Sequence, residues 1–109
     1  MVDEIMPEDL HERVEDGDAP QIIDIRSSSQ YAEGHLPGAL NIPMHKLPSR
    51  IKEVEWENDV VVACPIGQSS VQAARLINSF EEIEDSDDVR SMAGGYDAWE
   101  YELEREDDT

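Results

Sequence analysis

The sequence predicts an α/β domain with a central, mostly parallel β-sheet and helices on both of its faces. Two observations support this class. Short apolar runs rich in β-branched residues, typical of strands buried on both faces, occupy residues 21–26 and 60–63. Segments with helical signals separate the candidate strands, and this alternation is typical of parallel sheets. The 109 residues fit one domain, which we assign to residues 1–103, followed by an acidic C-terminal tail at residues 104–109.

The first half of the chain contains two candidate helices and two candidate strands. Residues 7–15 are predicted to be helical, because Pro7 suits a first helical position and Gly17 follows the end. After the strand at residues 21–26, serines 27–29 are positioned to cap a short helix that runs to residue 33. We expect a loop over residues 34–38, a short strand over 39–42 and a weak helical turn over 47–54.

The second half is predicted to continue with strand, helix, strand and helix. Residues 60–63 give the strongest strand signal, and residues 69–80 show the apolar periodicity of a helix, with Val71, Ala74, Leu76 and Ile77 on one face. The acidic run at residues 81–88 predicts an exposed connection. A short strand at residues 89–92 and a final helix at residues 96–103 complete the chain.

The charge of the chain excludes several classes of partner. Twenty-seven acidic residues face eight basic ones, which gives a formal net charge of -19. Nucleic acids and anionic membranes bind basic patches, so we expect neither as a partner. The acidic residues are spread along the whole chain, which favours a hydrated surface suited to a salty cytoplasm over an acidic patch that docks a basic partner. A halophilic source is the hypothesis that follows.

The cysteine and histidine content bounds the compartment and the cofactors. A single cysteine forms no internal disulfide, and a free thiol persists in a reducing cytosol. The N-terminus lacks the basic and apolar regions of a signal peptide, and no apolar run approaches the ~20 residues that span a bilayer. His11, His35 and His45 lack metal-ligand spacing. We therefore expect a cytoplasmic protein with no metal and no cofactor.

Cys64 is the candidate nucleophile. It lies where the strand at residues 60–63 ends and shortly before the helix that begins at Ser69, and active sites of parallel sheets lie beyond such strand ends. Free N–H groups at a helix start bind anions, so we expect a thiolate with a pKa below the ~8.5 of free cysteine. Gly67 allows close backbone approach, and Ser69 and Ser70 can donate hydroxyls. The alternative is a small buried hydrophobe, a common role for a lone cysteine.

Three stretches of the chain carry a family resemblance. Residues 22–26 read Ile-Ile-Asp-Ile-Arg, and residues 33–39 read Glu-Gly-His-Leu-Pro-Gly-Ala. The second stretch is the strand at residues 60–63 with Cys64 and its loop. The third, residues 94–99, reads Gly-Gly-Tyr-Asp-Ala-Trp. In this order and spacing the chain resembles a single-domain rhodanese from about Ile5 to Trp99.

The resemblance implies a rhodanese-like domain with five strands and sulfurtransferase activity. Cys64 would take sulfane sulfur from a small donor or a protein persulfide, hold it as a persulfide, and pass it to a thiol or cyanide-like acceptor. The active-site loop that binds substrate would consist of Pro65, Ile66, Gly67, Gln68, Ser69 and Ser70. Asp24 and Arg26 end a strand nearby and would support the site, either by tuning it or by holding loops together.

One departure from the family pattern bears on the substrate. Many members carry an arginine five residues after the cysteine, where this chain has Ser69. A guanidinium binds sulfate-like groups bidentately, so its loss puts thiosulfate in doubt as the preferred donor. A related class, the cysteine phosphatases of the dual-specificity cell-cycle type, needs an arginine six residues after the cysteine, where Ser70 stands. A non-catalytic sulfur-carrier or partner-binding module remains the main alternative.

Five other residues have structural roles in this interpretation. His35, in a loop, is expected to make structural hydrogen bonds. Trp56 and Trp99 are expected to pack in the core. Gly94 and Gly95 lie near a strand end, where they either border the active-site pocket or only turn the backbone.

Overall fold

Five parallel strands form a single sheet. The computed structural model describes residues 3–57, 59–79 and 89–104. The strands are β1 (Asp3–Ile5), β2 (Gln21–Asp24), β3 (Leu40–Asn41), β4 (Val60–Ala63) and β5 (Val89–Met92). They lie in the order β1-β5-β4-β2-β3, and every neighbouring pair is parallel. The predicted α/β class and the number of strands are therefore confirmed.

Four α-helices connect the strands. They are α1 (Pro7–Glu15), α2 (Ser28–Glu33), α3 (Leu47–Arg50) and α4 (Ser69–Asn78), and 3-10 turns occupy Met44–Lys46 and Gly95–Ala98. The capping serine of α2 is Ser27, whose hydroxyl accepts from the Gln30 backbone N–H while the Gln30 side chain accepts from the Ser27 N–H. Among the described residues, no helix is long and apolar enough to cross a membrane.

The core has one cluster on each face of the sheet. Alternate residues of a strand point to opposite faces, so in β4 Val60 and Val62 join one cluster while Val61 and Ala63 join the other. All four are fully buried, and burial of each valine contributes about 1.5–3 kcal/mol. The cluster that contains Val62 also contains Cys64 and the buried alanines of α4. The candidate nucleophile is thus part of the cluster that packs between the sheet and α4.

The buried face of α4 differs in part from the expected one. Ala74 and Ile77 are buried as expected, whereas Val71 and Leu76 are half-buried. Ser70 is buried instead and is the polar member of this face. Because the side chain of Ser70 is small, the first turn of α4 can lie close to the ends of β4 and β5.

The predicted final helix over residues 96–103 is wrong. After the 3-10 turn, Trp99 is extended (φ -85°, ψ 114°), and its indole N–H donates to the Glu102 carbonyl at 3.2 Å. His35 and Glu104 then exchange two backbone hydrogen bonds of 2.8 Å. A helix would place Glu100 and Glu104 one turn apart, where like charges repel, and it would forfeit these two bonds.

Strand β1 had no counterpart in the sequence-based prediction. It is three residues long, only Ile5 is buried, and Asp3 and Glu4 are exposed. Its pairing with β5 comes from tertiary contact, because acidic residues have low strand propensity. The acidic connection predicted at residues 81–88, the helix end at Phe80 and the tail at residues 105–109 lie outside the described residues.

Candidate active site

Cys64 follows β4 directly, and hydrogen-bonding groups surround its sulfur. The Gly67 backbone N–H donates to Sγ at 3.0 Å, and the Cys64 thiol donates to Ser70 Oγ at 3.2 Å. The side chain has no solvent-exposed surface. The sulfur is therefore buried as the hydrophobe alternative requires, but its surroundings are those of an anion site.

The pKa of the Cys64 thiol reflects these opposing effects. Burial raises the pKa, because it penalises the charged thiolate. The Ser70 hydroxyl and the backbone N–H groups of Ser70, Gly67 and Ile66 lower it, and together they exceed the effect of burial. The net pKa lies below the ordinary value for cysteine. Hydrogen bonds from the Cys64 loop and from the first turn of α4 thus meet at the sulfur.

The loop after Cys64 has an outer and an inner side. Gly67 has φ +83°, a left-handed conformation that aims its N–H at the sulfur without the steric penalty a side chain would bring. Ile66 is 53% exposed. Of the loop residues named from the sequence, those with exposed side chains are Pro65, Ile66, Gln68 and Ser69, and only Ser70 is buried.

Gly95 presses directly on this loop. It has φ +62°, and a Cβ placed on it would lie 2.6 Å from the Gly67 nitrogen and closer still to the Cys64 carbonyl oxygen. The next two residues donate backbone hydrogen bonds to the loop, Tyr96 to the Cys64 carbonyl at 2.8 Å and Asp97 to the Pro65 carbonyl at 2.9 Å. The turn after β5 therefore forms one wall of the Cys64 loop.

Asp24 and Arg26 belong to a hydrogen-bonded network that reaches the Cys64 loop through Tyr96. Asp24 is fully buried, and its carboxylate accepts from the Arg26 guanidinium at 2.8 Å and from the Tyr96 hydroxyl at 2.9 Å. The guanidinium also donates to the Gly34 carbonyl and lies 3.6 Å from the centre of the Tyr96 ring. Because the Tyr96 backbone binds the Cys64 carbonyl, the network connects the end of β2 to the active-site loop.

The charges in this network are fixed by mutual contact. Burial and the neighbouring Asp24 carboxylate raise the pKa of Tyr96, so its hydroxyl stays protonated and continues to donate. Burial lowers the pKa of Arg26, but the hydrogen bond and charge of Asp24 outweigh it, and the pKa of Arg26 rises. The described contacts of Asp24 and Arg26 do not include Cys64 Sγ.

The remaining candidates have structural surroundings. His35 is buried, with Nδ1 2.9 Å from the Tyr31 carbonyl oxygen and its ring stacked on the Tyr31 ring. Trp99 is buried in the core, and Trp56 packs against the opposite cluster while donating to the Ile51 carbonyl. The described part of the chain holds no group of three or more side chains arranged to bind a metal ion.

Two residues beside the site were missed from the sequence. Nothing in the sequence placed Tyr96 against the site, although its hydroxyl donates to Asp24 and its backbone N–H donates to the Cys64 carbonyl. Ser91 is a fully buried hydroxyl on β5, 2.6 Å from Ser70 Oγ. The available signal for Ser91 was a polar residue inside a short apolar strand.

A comparison with protein families decides the assignment. The model of the rhodanese-like domain matches residues 6–102, nearly the whole chain. The chain belongs to the rhodanese-like domain family. The three stretches that carried the resemblance all lie within the matched range.

Known rhodanese-like proteins resemble this one in sequence and in structure. A sulfurtransferase of Allochromatium vinosum is 35% identical over 99 residues, covering 91% of this chain and 89% of the relative. The thiosulfate sulfurtransferase GlpE of Shewanella oneidensis is 35% identical over 79 residues, covering 72% of this chain and 74% of the relative.

Solved structures show the same fold. The rhodanese-like domain protein of Staphylococcus aureus superposes with a TM-score of 0.81 at 23% identity, covering 97% of this chain and all of that one. The human single-domain sulfurtransferase TSTD1 gives 0.73 at 26% identity, covering 91% of this chain and 96% of that one. The rhodanese-like fold and a family-level link to sulfurtransferases therefore rest on independent comparisons.

Proposed function

We propose that this rhodanese-like protein moves sulfane sulfur through a persulfide on Cys64 to a thiol or cyanide-like acceptor. One observation carries the proposal. The Gly67 N–H donates to the sulfur of Cys64 at 3.0 Å, and Ser70 Oγ, which accepts from the thiol at 3.2 Å, is placed to donate to the thiolate. Both groups lower the pKa of the thiol despite burial. A thiolate is the reactive form of cysteine.

The reaction has two balanced steps. The Cys64 thiolate attacks the outer sulfur of the donor, a new S–S bond forms, and the donor leaves with the electron pair of the broken bond. The acceptor then attacks the terminal sulfur of the persulfide, and the electron pair of the broken S–S bond returns to Cys64 Sγ. Both steps begin or end with negative charge on Sγ, which the loop donors stabilise. The scheme predicts ping-pong kinetics.

Access to the sulfur requires motion of the loop. Cys64 is fully buried, while Ile66 and Ser69 in the same loop are exposed. We infer that these outer residues shift to admit a donor, and that Gly67, which needs a left-handed φ, stays in contact with the sulfur through its N–H.

The identity of the donor depends on Ser69. Its side chain is exposed and uncharged, so the loop offers thiosulfate main-chain N–H groups but no guanidinium from this position. The GlpE relative is named for thiosulfate, which makes thiosulfate the first donor to test. Comparing persulfide formation from thiosulfate, a mercaptopyruvate-type donor and a desulfurase-bound persulfide ranks the donors directly.

Intact-mass measurement after incubation with a sulfane donor tests the proposal. The wild-type chain is expected to gain one sulfur atom, and Cys64→Ser is expected to gain none and to lose all turnover with cyanide. Ser79→Ala, an exposed serine at the far end of α4, serves as the control and should behave as wild type. Residual turnover in Cys64→Ser would refute the mechanism.

The second candidate is a sulfur carrier that does not turn over by itself. Ser69 supports this candidate, because the loop lacks at that position the guanidinium that would bind a small anionic donor. The same two measurements separate the candidates. Gain of sulfur without cyanide turnover supports the carrier, and turnover with cyanide supports the enzyme.

A further inference from the structure

The buried hydroxyls of Ser70 and Ser91 form a hydrogen-bonded chain that ends at the sulfur of Cys64. Ser70 Oγ lies 3.2 Å from Cys64 Sγ, and Ser91 Oγ lies 2.6 Å from Ser70 Oγ. Both serines are fully buried. Ser70 is in the first turn of α4 and Ser91 is on β5, so two separate elements supply the two hydroxyls.

The position of Ser91 has no structural need for a hydroxyl. It lies on the same face of β5 as the buried Val89, directly before the buried Met92, and it is paired with Val62 of β4. A β-branched apolar residue would suit this register, and a buried hydroxyl is costly unless it finds a partner. Within the part of the chain that the structure describes, the hydrogen bonds of Ser91 Oγ consist of the one to Ser70.

In the thiol form, Cys64 Sγ donates to Ser70 Oγ. Once the thiol proton is lost, Sγ can only accept, and the direction of the hydrogen bond between the two serines in the thiolate form follows from counting protons. Each hydroxyl carries one proton. If Ser70 donated to Ser91, the proton of Ser91 would be left without an acceptor among the described residues. If Ser91 donates to Ser70, the proton of Ser70 is free to point at Cys64 Sγ, and both protons are used. The second arrangement is the one a thiolate requires.

We propose that Ser91 is a positioning residue that turns the Ser70 hydroxyl into a hydrogen-bond donor toward the sulfur of Cys64. Ser70 makes the direct contact, and Ser91 acts through it. A hydroxyl that accepts one hydrogen bond becomes a stronger donor in the next. The inference deepens the proposed function, since it names what stabilises Sγ when the acceptor takes the terminal sulfur and the electron pair returns to Cys64.

The experiment follows the titration of Cys64 itself in the resting protein. Because the chain has one cysteine, isotopic labelling of cysteine Cβ gives a single NMR signal whose shift reports the thiol pKa in the folded state. Ser91→Ala is expected to raise this pKa by about half a unit to one unit, since one unit is 1.36 kcal/mol and one indirect hydrogen bond is removed. Ser91→Thr keeps the hydroxyl and should keep the wild-type pKa.

A control on the same strand separates positioning from loosened packing. Val89→Ala truncates a buried side chain of β5 and should lower the melting temperature without moving the pKa of Cys64. The proposal is overturned by an unchanged pKa in Ser91→Ala, by an equal rise in Val89→Ala, or by an equal rise in Ser91→Thr.

Sulfur release from a preloaded persulfide gives the second readout. Ser91→Ala is expected to slow transfer to cyanide by roughly three- to tenfold, matching the shift in pKa. The titration needs no sulfur donor, so it judges the role of Ser91 even if the wild-type chain accepts no sulfur. Failure of the wild-type chain to gain sulfur would instead reject the proposed function.

Discussion

Cys64 combines burial with hydrogen bonding, and the balance between them sets its chemistry. An apolar site without donors would raise the pKa of a thiol and make it inert. Here one hydroxyl and several backbone N–H groups converge on the sulfur and lower its pKa in spite of burial. The two properties together describe a buried thiol whose ionisation is favoured by the groups around it.

The pH dependence of persulfide formation follows from that lowered pKa. The rate should rise with pH as the thiolate forms and level off with a midpoint below that of free cysteine. The folded protein holds this proton less tightly than the unfolded chain, so the stabilisation is fully present above the unfolded pKa and is lost as pH falls through the folded pKa. Rapid-quench mass measurements across pH give the midpoint. Ser70→Ala should move the midpoint upward, and a midpoint above that of free cysteine would contradict the prediction.

Ser69 offers a test of how much a loop cation matters to the donor. Ser69→Arg places a guanidinium at an exposed position of the Cys64 loop, where we expect it to lower the KM for thiosulfate about tenfold, equivalent to about 1.4 kcal/mol. The gain should shrink as salt screens the charge. Steady-state kinetics with cyanide as acceptor measure the effect. Ser69→Gln adds length without charge, and an equal gain in that variant would show that charge is not the cause.

The Asp24 carboxylate is expected to contribute more to stability than any hydroxyl around it. Asp24→Asn leaves the half-buried Arg26 guanidinium uncompensated, and loss of one partner of such a pair costs about 3 kcal/mol. Tyr96→Phe removes only a hydroxyl that donates to Asp24 and accepts from the Leu36 N–H, at a cost of about 1–2 kcal/mol. Urea unfolding of both variants gives the two values. The prediction fails if Asp24→Asn is no more destabilising than Tyr96→Phe.

At the scale of elements, the contact between the turn after β5 and the Cys64 loop is the tightest constraint on the site. Gly95→Ala combines a left-handed φ with overlap against the backbone of Cys64 and Gly67. Strain of about 1–2 kcal/mol adds to an overpacking cost of about 1–3 kcal/mol. We expect a protein destabilised by roughly 2–5 kcal/mol that forms persulfide at least about tenfold more slowly, because the loop must shift.

Gly17→Ala is the matched control for this substitution. Gly17 also has a left-handed φ, +76°, but a Cβ there would have no atom within 4 Å. Gly17→Ala should lose only about 1–2 kcal/mol of stability, from backbone strain, and should form persulfide at the wild-type rate. Thermal unfolding and intact-mass kinetics compare the two variants, and similar losses of activity in both would remove the loop contact as the explanation.

Elements with a strong local pattern were predicted well from the sequence. Val60–Ala63 is β4 with the expected bounds, and Pro7–Glu15 is α1 from its proline onward. Both follow from local physics, continuous β-branched residues in one case and a helix start at Pro7 in the other. The place of Cys64 at the end of β4 followed from the same pattern, since the order of strand, cysteine and helix is written in the chain.

Elements that depend on distant contacts were not predictable in this way. Strand β1 forms because its backbone hydrogen-bonds to the edge of β5. The segment after Trp99 is extended because the backbone of Glu104 pairs with that of His35. Ser91 and Tyr96 are 27 and 32 residues beyond Cys64 in the chain, and nothing local marks them as its neighbours. Parallel β-strand pairing brings them there, so the sequence predicted the position of Cys64 but not all of its surroundings.

At the scale of the whole molecule, repulsion among acidic groups opposes the compact state. Some carboxylates are paired: Asp59 accepts from Arg13 at 2.5 Å and from Arg90 at 3.0 Å. Burial raises the pKa of Asp59, but the two arginines lower it by more than burial raises it. The net pKa is lowered, so the carboxylate stays charged. The 27 acidic residues outnumber the eight basic ones by 19. This excess of negative charge is mutually repulsive.

Salt should therefore stabilise the folded protein. The screening length falls to about 3 Å at 1 M salt. Salt therefore weakens the repulsion among the charges of a chain with net charge -19. It also weakens attractive pairs such as Asp59–Arg90, but these are fewer. We expect raising KCl from low to molar concentration to add at least about 1 kcal/mol, a rise in Tm of roughly 4–8 °C. Calorimetry measures it, with sucrose as an uncharged control for excluded-solute effects.

The outcome bears on the halophilic hypothesis as well as on stability. If the acidic surface is an adaptation to a salty cytoplasm, KCl should raise Tm well beyond any effect of sucrose, and the persulfide-forming activity should persist at molar salt, because the hydrogen bonds around Cys64 are buried and escape screening. Full stability in low salt, with no further gain on adding KCl, would mean that the charges are too well hydrated to oppose folding. The acidic surface would then call for another explanation, such as the docking of a basic partner.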